Sequence, residues 1–403
     1  MQNHYRFGGF MGRRVHLGIS GSIAAYKALD LCRTLQESDC TVSATLSDSA
    51  CRFVTPLSFE ALGASPVYTG MFDAGPDTSF AHLEPGQSAD ALALVPASAD
   101  IIGKIANGIA DTMLSCQAMA FPGPRLIAPA MNPAMWASPA VQRNWETLKK
   151  DGWVCIEPES GHVACGDIGK GRLADLDTIH LSILKLVTEQ DLAGQKVLVT
   201  LGPTREQWDA VRFWSNPSTG SMGAALAVAA WLRGADVTVV CGPVDCKFPP
   251  DINVIPVTSA REMHAACLDV WPRMTVGVCT AAVADFRPTP HGSDKFKKAG
   301  AETLTVEFAS NPDILRSLGD DKGDRKLIGF AAETGDPRDE ALRKLTTKHL
   351  DVIAANRIDK EGSGFGVRTN EMFVATADGR RETWPLLPKT EVAWRLWDIL
   401  QIG

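Results

Sequence analysis

Pro129-Ala-Met-Asn-Pro-Ala-Met-Trp136 follows an apolar run, Arg125 to Ala128, that reads as a strand. Asn132 therefore stands where a strand's C-terminal end opens into a loop, the edge at which doubly wound α/β sheets bind ligands. Its amide can both donate and accept hydrogen bonds, which suits gripping a carboxylate; read without chemistry, the stretch is a turn with Met131, Met135 and Trp136 packed as core. Gly18-Ile-Ser-Gly-Ser22 joins a strand to a helix. There, small residues admit an anion to the backbone amides and the helix N-terminus adds partial positive charge, although such turns also serve plain close packing. Ser47 and Ser98 close two other strands, so the three ends can converge on one phosphate. Further along, Gly202-Pro-Thr-Arg-Glu206 and Val211-Arg-Phe-Trp-Ser-Asn-Pro-Ser-Thr-Gly-Ser-Met-Gly223 form a second candidate phosphate cradle. Lys344 and Lys348 are spaced i, i+4 on one helix face and can point at the same anion.

Positioning these residues takes a repeated alternation of strands and helices. Strand patterns at Val15–Ile19, Thr41–Leu46, Ala91–Val95, Arg125–Ala128 and Trp153–Ile156 are separated by helical stretches, which predicts a parallel sheet with right-handed crossovers. After a helix over Asp177–Val187, the polar stretch from Thr188 to Gly194 marks a boundary. The pattern then restarts with strands at Lys196–Leu201, Ala235–Cys241, Thr275–Cys279, Leu327–Phe330 and Asp351–Ala354, and a helix through Met222–Trp231. A turn at Asp378-Gly379 predicts a β-hairpin from Glu371 to Pro385, and a helix closes the chain from Thr390. The expected layout is a loose N-terminal extension over 1–13 with Met11 as an alternative start, one α/β domain over 14–188, a linker over 189–194 and a second α/β domain over 195–403.

Bulk composition narrows the function classes. The chain has 403 residues, 45% hydrophobic and 22% charged, with a net charge of -7, so a full core is expected and no broad basic surface for nucleic acid. No apolar run is long enough to cross a membrane, and the N-terminus lacks the apolar core of a signal peptide. The ten cysteines show no CxxC pair and no Cys/His metal spacing, which predicts reduced thiols and a cytoplasmic location. The absence of GxGxxG and of an acidic residue closing the second strand points away from a dinucleotide and towards a mononucleotide such as FMN.

Gly21-Ser-Ile-Ala-Ala-Tyr-Lys27, His82 in Ala81-His-Leu-Glu84, Pro96-Ala-Ser-Ala-Asp100 and Pro129–Trp136, in that order, closely resemble the flavin-dependent cysteine decarboxylases. Gly161-His-Val-Ala-Cys-Gly-Asp-Ile-Gly-Lys-Gly-Arg172 resembles the substrate-clamp loop of the phosphopantothenoylcysteine decarboxylases, with Cys165 at the position of the proton-donating cysteine. The resemblance implies a flavodoxin-like flavoprotein with Gly21, Ser22, Ser47, Ser98 and Ala130 around FMN. It also implies a reaction in which thiol oxidation places a C=S group β to the carboxylate, so that CO2 can leave as an enethiolate forms. His82, with an ordinary pKa of about 6.5, suits a base. Asn132 would hold the carboxylate, and Cys165, ordinarily protonated at pH 7, would return a proton to carbon. Taken singly, His82 and Cys165 read as packing residues; the glycines around Cys165 read as a flexible lid.

In the second half, the two stretches at 202–206 and 211–223, with Ala281-Ala-Val-Ala-Asp-Phe-Arg287, Asp294-Lys-Phe-Lys-Lys298, Ser310-Asn-Pro-Asp-Ile314 and Gly329-Phe-Ala-Ala-Glu-Thr334, resemble the CTP-using bacterial phosphopantothenate–cysteine ligases. That resemblance places Asn216 at an acyl-cytidylate. Asp285, Lys295, Asn311, Pro312, Asp313, Ile314, Phe330, Lys344 and Lys348 would lie around CTP, with Mg2+ neutralising the triphosphate. Ser221 departs from the family, whose members usually carry a basic residue there; the contact is either lost or supplied by Arg205 or Arg212. Ser47 stands where Thr is common and keeps the hydroxyl. Together the halves imply a bifunctional enzyme of coenzyme A biosynthesis acting on 4'-phosphopantothenate, cysteine and CTP, and a homo-oligomer, specifically a dodecamer. Two rivals stay open: decarboxylation of a peptide's C-terminal cysteine, and a flavin-binding regulatory protein without catalysis.

Overall fold

The computed structural model describes residues 6–72, 80–162, 164, 166–290, 292, 294–297 and 302–400. The described residues divide into two compact units, residues 6–188 and residues 189–400. Among the described residues no helix is long and apolar enough to cross a membrane.

In the first unit the strands are β1 (Arg14–Ile19), β2 (Thr41–Leu46), β3 (Val67–Tyr68), β4 (Ala91–Ala97), β5 (Arg125–Pro129), β6 (Val154–Cys155), β7 (Glu159–His162) and β8 (Ile168–Arg172). The first six form a parallel sheet in the order β3-β2-β1-β4-β5-β6. Without the two-residue edge strand β3, this is the flavodoxin-like order, whose ligand crevice opens where the winding reverses between β1 and β4. Every residue of β4 is buried, as expected of a central strand covered on both faces. One side of the sheet is filled by Ile101, Ile102, Leu114, Trp136, Trp145 and their neighbours. The helix Lys27–Gln36 buries Ala28, Leu31, Cys32 and Leu35, the i, i+3, i+4, i+7 face that its sequence spells.

The structure departs from expectation at two places. Residues 6–12 are not a loose extension: Phe7 and Phe10 are buried, the Gly9 amide donates to Asp39 Oδ2 at 2.7 Å, and the Phe10 amide donates to the Ser38 carbonyl. The glycine-rich stretch after Glu159 is also not simply a loop, since β7 and β8 pair antiparallel. Gly171 is required by close approach: a Cβ there would run into the Met131 carbonyl oxygen, while its own carbonyl accepts from the Met131 amide at 2.9 Å. The hairpin is thereby stapled to the Asn132 loop.

The second unit has strands β9 (Lys196–Leu201), β10 (Arg205–Gln207), β11 (Phe213–Ser215), β12 (Asp236–Cys241), β13 (Asn253–Pro256), β14 (Val276–Cys279), β15 (Phe286–Pro288), β16 (Phe308–Ser310), β17 (Lys326–Glu333), β18 (Val352–Arg357), β19 (Thr369–Thr376) and β20 (Arg381–Pro388). Its main sheet runs β13-β12-β9-β14-β17-β18-β19-β20, parallel as far as β18 and closed by the antiparallel hairpin β19-β20. The pairs β10-β11 and β15-β16 stand apart from it. The helix Ser221–Leu232 is buried from Gly223 to Leu232. The Trp397 indole of the closing helix, Lys389–Leu400, donates to the Leu226 carbonyl at 3.1 Å. Apolar runs foretell the long strands; β3, β10, β11, β15 and β16 are too short to carry a periodic signal of their own.

Candidate active sites

In the first unit the ends of β1, β4 and β5 are tied together by hydroxyls. Ser20, buried, donates to the Pro96 carbonyl at 2.8 Å and accepts from the Ser98 amide at 2.7 Å. Ser22 donates to the Ala130 carbonyl at 3.3 Å and accepts from the Ala24 amide. Ser98 caps the helix Ala99–Ala106 by accepting from the Ile101 amide. Ser47, at the end of β2, accepts from the Ala50 amide at 3.2 Å. Gly21 lies so close to Ser49 that a Cβ would collide with its side chain, so this turn can hold only glycine. Serine hydroxyls, a backbone turn and a capped helix end thus lie at adjacent strand ends, a donor set whose chemistry fits the phosphate of a mononucleotide.

Asn132 is half spent on structure. Its Oδ1 accepts from the Ala134 amide at 2.8 Å and caps the short helix Pro133–Trp136. Its Nδ2 donates to Asp167 Oδ2 at 2.6 Å, across to the segment that leads into β8. The donor half of the amide therefore does meet a carboxylate, supplied by the chain itself. Trp136 is core, edge-on to Trp145 at 5.1 Å, whereas Met135 is exposed. His82 is half-buried, with Phe80 as its ring neighbour at 6.3 Å. The carbonyl of the preceding Ala81 accepts from Gln117 Nε2 at 3.0 Å. Gln117 in turn accepts from Thr45, which shares a hydrogen bond with the buried His16. Burial lowers the His16 pKa to about 3, against the Gln117 contact that raises it. Cys165 lies outside the described residues.

In the second unit a cavity of about 400 Å³ is lined by Asn216, Ala281–Asp285, Asn311–Leu315, Phe330, Lys344 and Lys348. Asn216 Nδ2 is steered by the Ala282 and Val283 carbonyls at 3.3 and 3.1 Å. Asn311 donates to the Ala284 carbonyl at 2.8 Å. Both lysines are paired: Lys344 with Glu333 at 2.8 Å and Lys348 with Asp313 at 2.9 Å. Burial alone would raise the Asp313 pKa, but the Arg316 amide and the Lys348 ammonium outweigh it and hold the carboxyl below its usual range. Lys295 is not brought into this wall. It is exposed, beside Phe296, whose amide donates to Asp209.

A second cavity of about 150 Å³ adjoins the first and shares Ala281, Ala282 and Phe330 with it. Its floor is the first turn of the Ser221–Leu232 helix. Neither Arg205 nor Arg212 reaches it: Arg205 stacks on Phe213, and Arg212 is held by Asp209 at 2.6 Å. The cation present is Lys389, whose Nζ donates to Ser221 Oγ at 3.0 Å and to the Gly364 carbonyl at 3.2 Å. Sequence reading missed Lys389 and Ser20. The first had a signal, a lysine opening a helix, where the macrodipole disfavours a cation; the second has none beyond being a small residue in a turn.

The flavoprotein family matches residues 10–188, and the C-terminal domain family of the DNA/pantothenate metabolism flavoproteins matches residues 192–402. The chain is 42% identical over 388 residues to the Coenzyme A biosynthesis bifunctional protein CoaBC of Bacillus subtilis (strain 168), covering 95% of each. It is 39% identical over 384 residues to the protein of that name from Vibrio cholerae, covering 95% of this chain and 96% of the relative. For the Escherichia coli (strain K12) protein the identity is 38% over 372 residues, covering 91% and 92%.

Proposed function

Since the chain belongs to the family of bifunctional coenzyme A biosynthesis proteins, we propose that its second unit joins 4'-phosphopantothenate to cysteine using CTP and that its first unit, with FMN, decarboxylates the product to 4'-phosphopantetheine. The enzyme thus combines phosphopantothenate–cysteine ligase and phosphopantothenoylcysteine decarboxylase activities. What most supports the ligase assignment is convergence. Asn216, Asp285, Asn311, Pro312, Asp313, Ile314, Phe330, Lys344 and Lys348 come from separate segments and line one cavity.

In the ligase reaction the substrate carboxylate attacks the α-phosphate of CTP and pyrophosphate leaves; the cysteine amine then attacks the acyl carbon and CMP leaves. Asn216, held by two carbonyls, presents its amide to the acyl-cytidylate. Lys344 and Lys348 exchange a carboxylate partner for a phosphate, so their charge is positioned before the ligand arrives. Among the described residues no group of three or more His, Cys, Asp or Glu could hold a metal, so Mg2+ is proposed to ride on the CTP phosphates.

In the first unit Gly21, Ser22, Ser47, Ser98 and Ala130 cradle the FMN phosphate. When bound, FMN supplies the two-electron oxidation of the substrate thiol and its later reversal. His82 accepts the thiol proton, Asn132 Nδ2 holds the substrate carboxylate in place of Asp167, and Cys165 donates a proton to the carbon that has lost CO2. Cytoplasmic location and assembly into a homo-oligomer, a dodecamer, complete the proposal. Supplied with phosphopantothenate, cysteine, CTP and Mg2+, the yellow purified protein should release CMP, pyrophosphate and CO2 in equal amounts. A colourless protein that releases no CMP would sink the assignment.

A further inference from the structure

Lys389 is 7% exposed, yet among the described residues its ammonium has no counter-charge. Its hydrogen-bond acceptors are neutral, the Ser221 hydroxyl and the Gly364 carbonyl. Burial alone accounts for its pKa falling to about 8, with no carboxylate offsetting it. The other lysines of the site are treated differently, since Lys344 and Lys348 each rest on a carboxylate. A buried ammonium without an anion is costly, and Lys389 also opens a helix, where the macrodipole adds to the cost. It has three N–H groups for two acceptors, and the side chain lines the smaller cavity. Opposite it lies the first turn of a 12-residue helix whose N-cap, Gly220, has no side chain to cap the amides. An anion seated there would meet the ammonium and the helix end together, and the wall shared with the larger cavity lets a ligand extend from one to the other.

We propose that Lys389 is the cation that receives a phosphate group of a bound substrate at the N-terminus of the Ser221–Leu232 helix, with the Ser221 hydroxyl orienting it. This rests on the ligase reading for the identity of the substrate, and two sources have the right chemistry: the triphosphate tail of CTP and the phosphomonoester of phosphopantothenate. Position 221 then needs no charge of its own, because Lys389 brings the charge from the far end of the unit.

The test titrates the full chain separately with CTP, inorganic pyrophosphate and 4'-phosphopantothenate by calorimetry, alongside ligase kinetics. Lys389→Met should weaken at least one of these ligands about 30-fold or more, as expected for removing a buried charge from its partner, with the KM for cysteine unchanged. Loss confined to CTP and pyrophosphate assigns the subsite to the triphosphate, and loss confined to phosphopantothenate assigns it to the monoester. Adding Ser221→Lys to Lys389→Met should restore affinity to within about five-fold, which a packing defect would not allow. Unchanged affinity for all three ligands overturns the proposal. So does a loss accompanied by a lowered melting temperature and no rescue. If the wild type releases no CMP but binds pyrophosphate through Lys389, the ligase reading falls while the phosphate subsite stands.

Discussion

Both candidate sites sit at the carboxyl ends of a parallel sheet where the winding reverses, yet on the proposed reading they would handle anions by opposite means. The first would use Ser22, Ser47, Ser98 and backbone amides, without a cation among the residues proposed for it. The second would use Lys344 and Lys348, each already paired with a carboxylate, and Lys389, which among the described residues is not. The contrast follows from what each site must do. A resident group can be held by neutral donors fixed in the backbone, whose cost is met once on folding. A substrate that arrives and leaves on every cycle is better met by charges that have somewhere to rest in its absence.

The comparison can be broken most directly by removing one amide from each site. Asn132→Ala should cut decarboxylation of supplied phosphopantothenoylcysteine by about 10²–10³-fold and leave CMP release intact; Asn216→Asp should do the reverse. Coupled loss of both activities in either variant would mean that the sites do not work separately.

A smaller effect separates the units by pH. Burial holds His16 at a pKa of about 3, and burial, with the Arg6 charge, does the same for His180. These folded values lie below the ordinary 6.5, so the unfolded chain takes up protons first as the pH falls. The first unit's stability is therefore full above pH 6.5 and is lost progressively towards pH 3, by about 2 kcal/mol per histidine at pH 5. In the second unit, burial would raise Asp209, but the amides of Val211, Arg212 and Phe296 and the Arg212 charge take it down to about 2. Its contribution is present above the ordinary carboxylate range and is lost only as the pH falls towards 2. Calorimetry of the full chain at pH 7.5 and 5 should show the transition that releases flavin moving down while the other stays. Equal movement of both would remove the assigned role of the two histidines.

The smallest expected effect is on salt dependence. Raising KCl from 50 to 500 mM should weaken CTP binding about three- to ten-fold and flavin retention less than two-fold, read by calorimetry and by flavin absorbance after dialysis. A flavin site as salt-sensitive as the CTP site would erase the distinction between the two cradles.

The long strands were legible because burial on both faces leaves apolar runs such as Ala91–Val95; the serines at the strand ends could be placed from the sequence, but not the caps and strand ties that Ser20, Ser22, Ser47 and Ser98 make. The convergence on the second cavity was visible only through family motifs, since residues from Asn216 to Lys348 share no local pattern. What sequence could not show was how side chains are already engaged. Lys344 and Lys348 look like a bare basic pair until Glu333 and Asp313 are seen beside them. Arg212 looks available until Asp209 is seen to hold it. Lys389 lies far along the chain from Ser221, and only the packing of the closing helix brings them together.

The Asp167 carboxylate on Asn132 gives the first site an intramolecular competitor. A tethered group acts at an effective concentration that free metabolites do not match. A ligand that offers only a carboxylate must outbid it, whereas one that also engages the site through its phosphate and thiol can recoup the exchange. The uncoupled acid, 4'-phosphopantothenate, has the carboxylate and the phosphate but not the thiol. On the proposed decarboxylase reading, Asp167 would set a threshold that favours the ligated product over its precursor, a form of proofreading by occupancy at the entrance to an irreversible step.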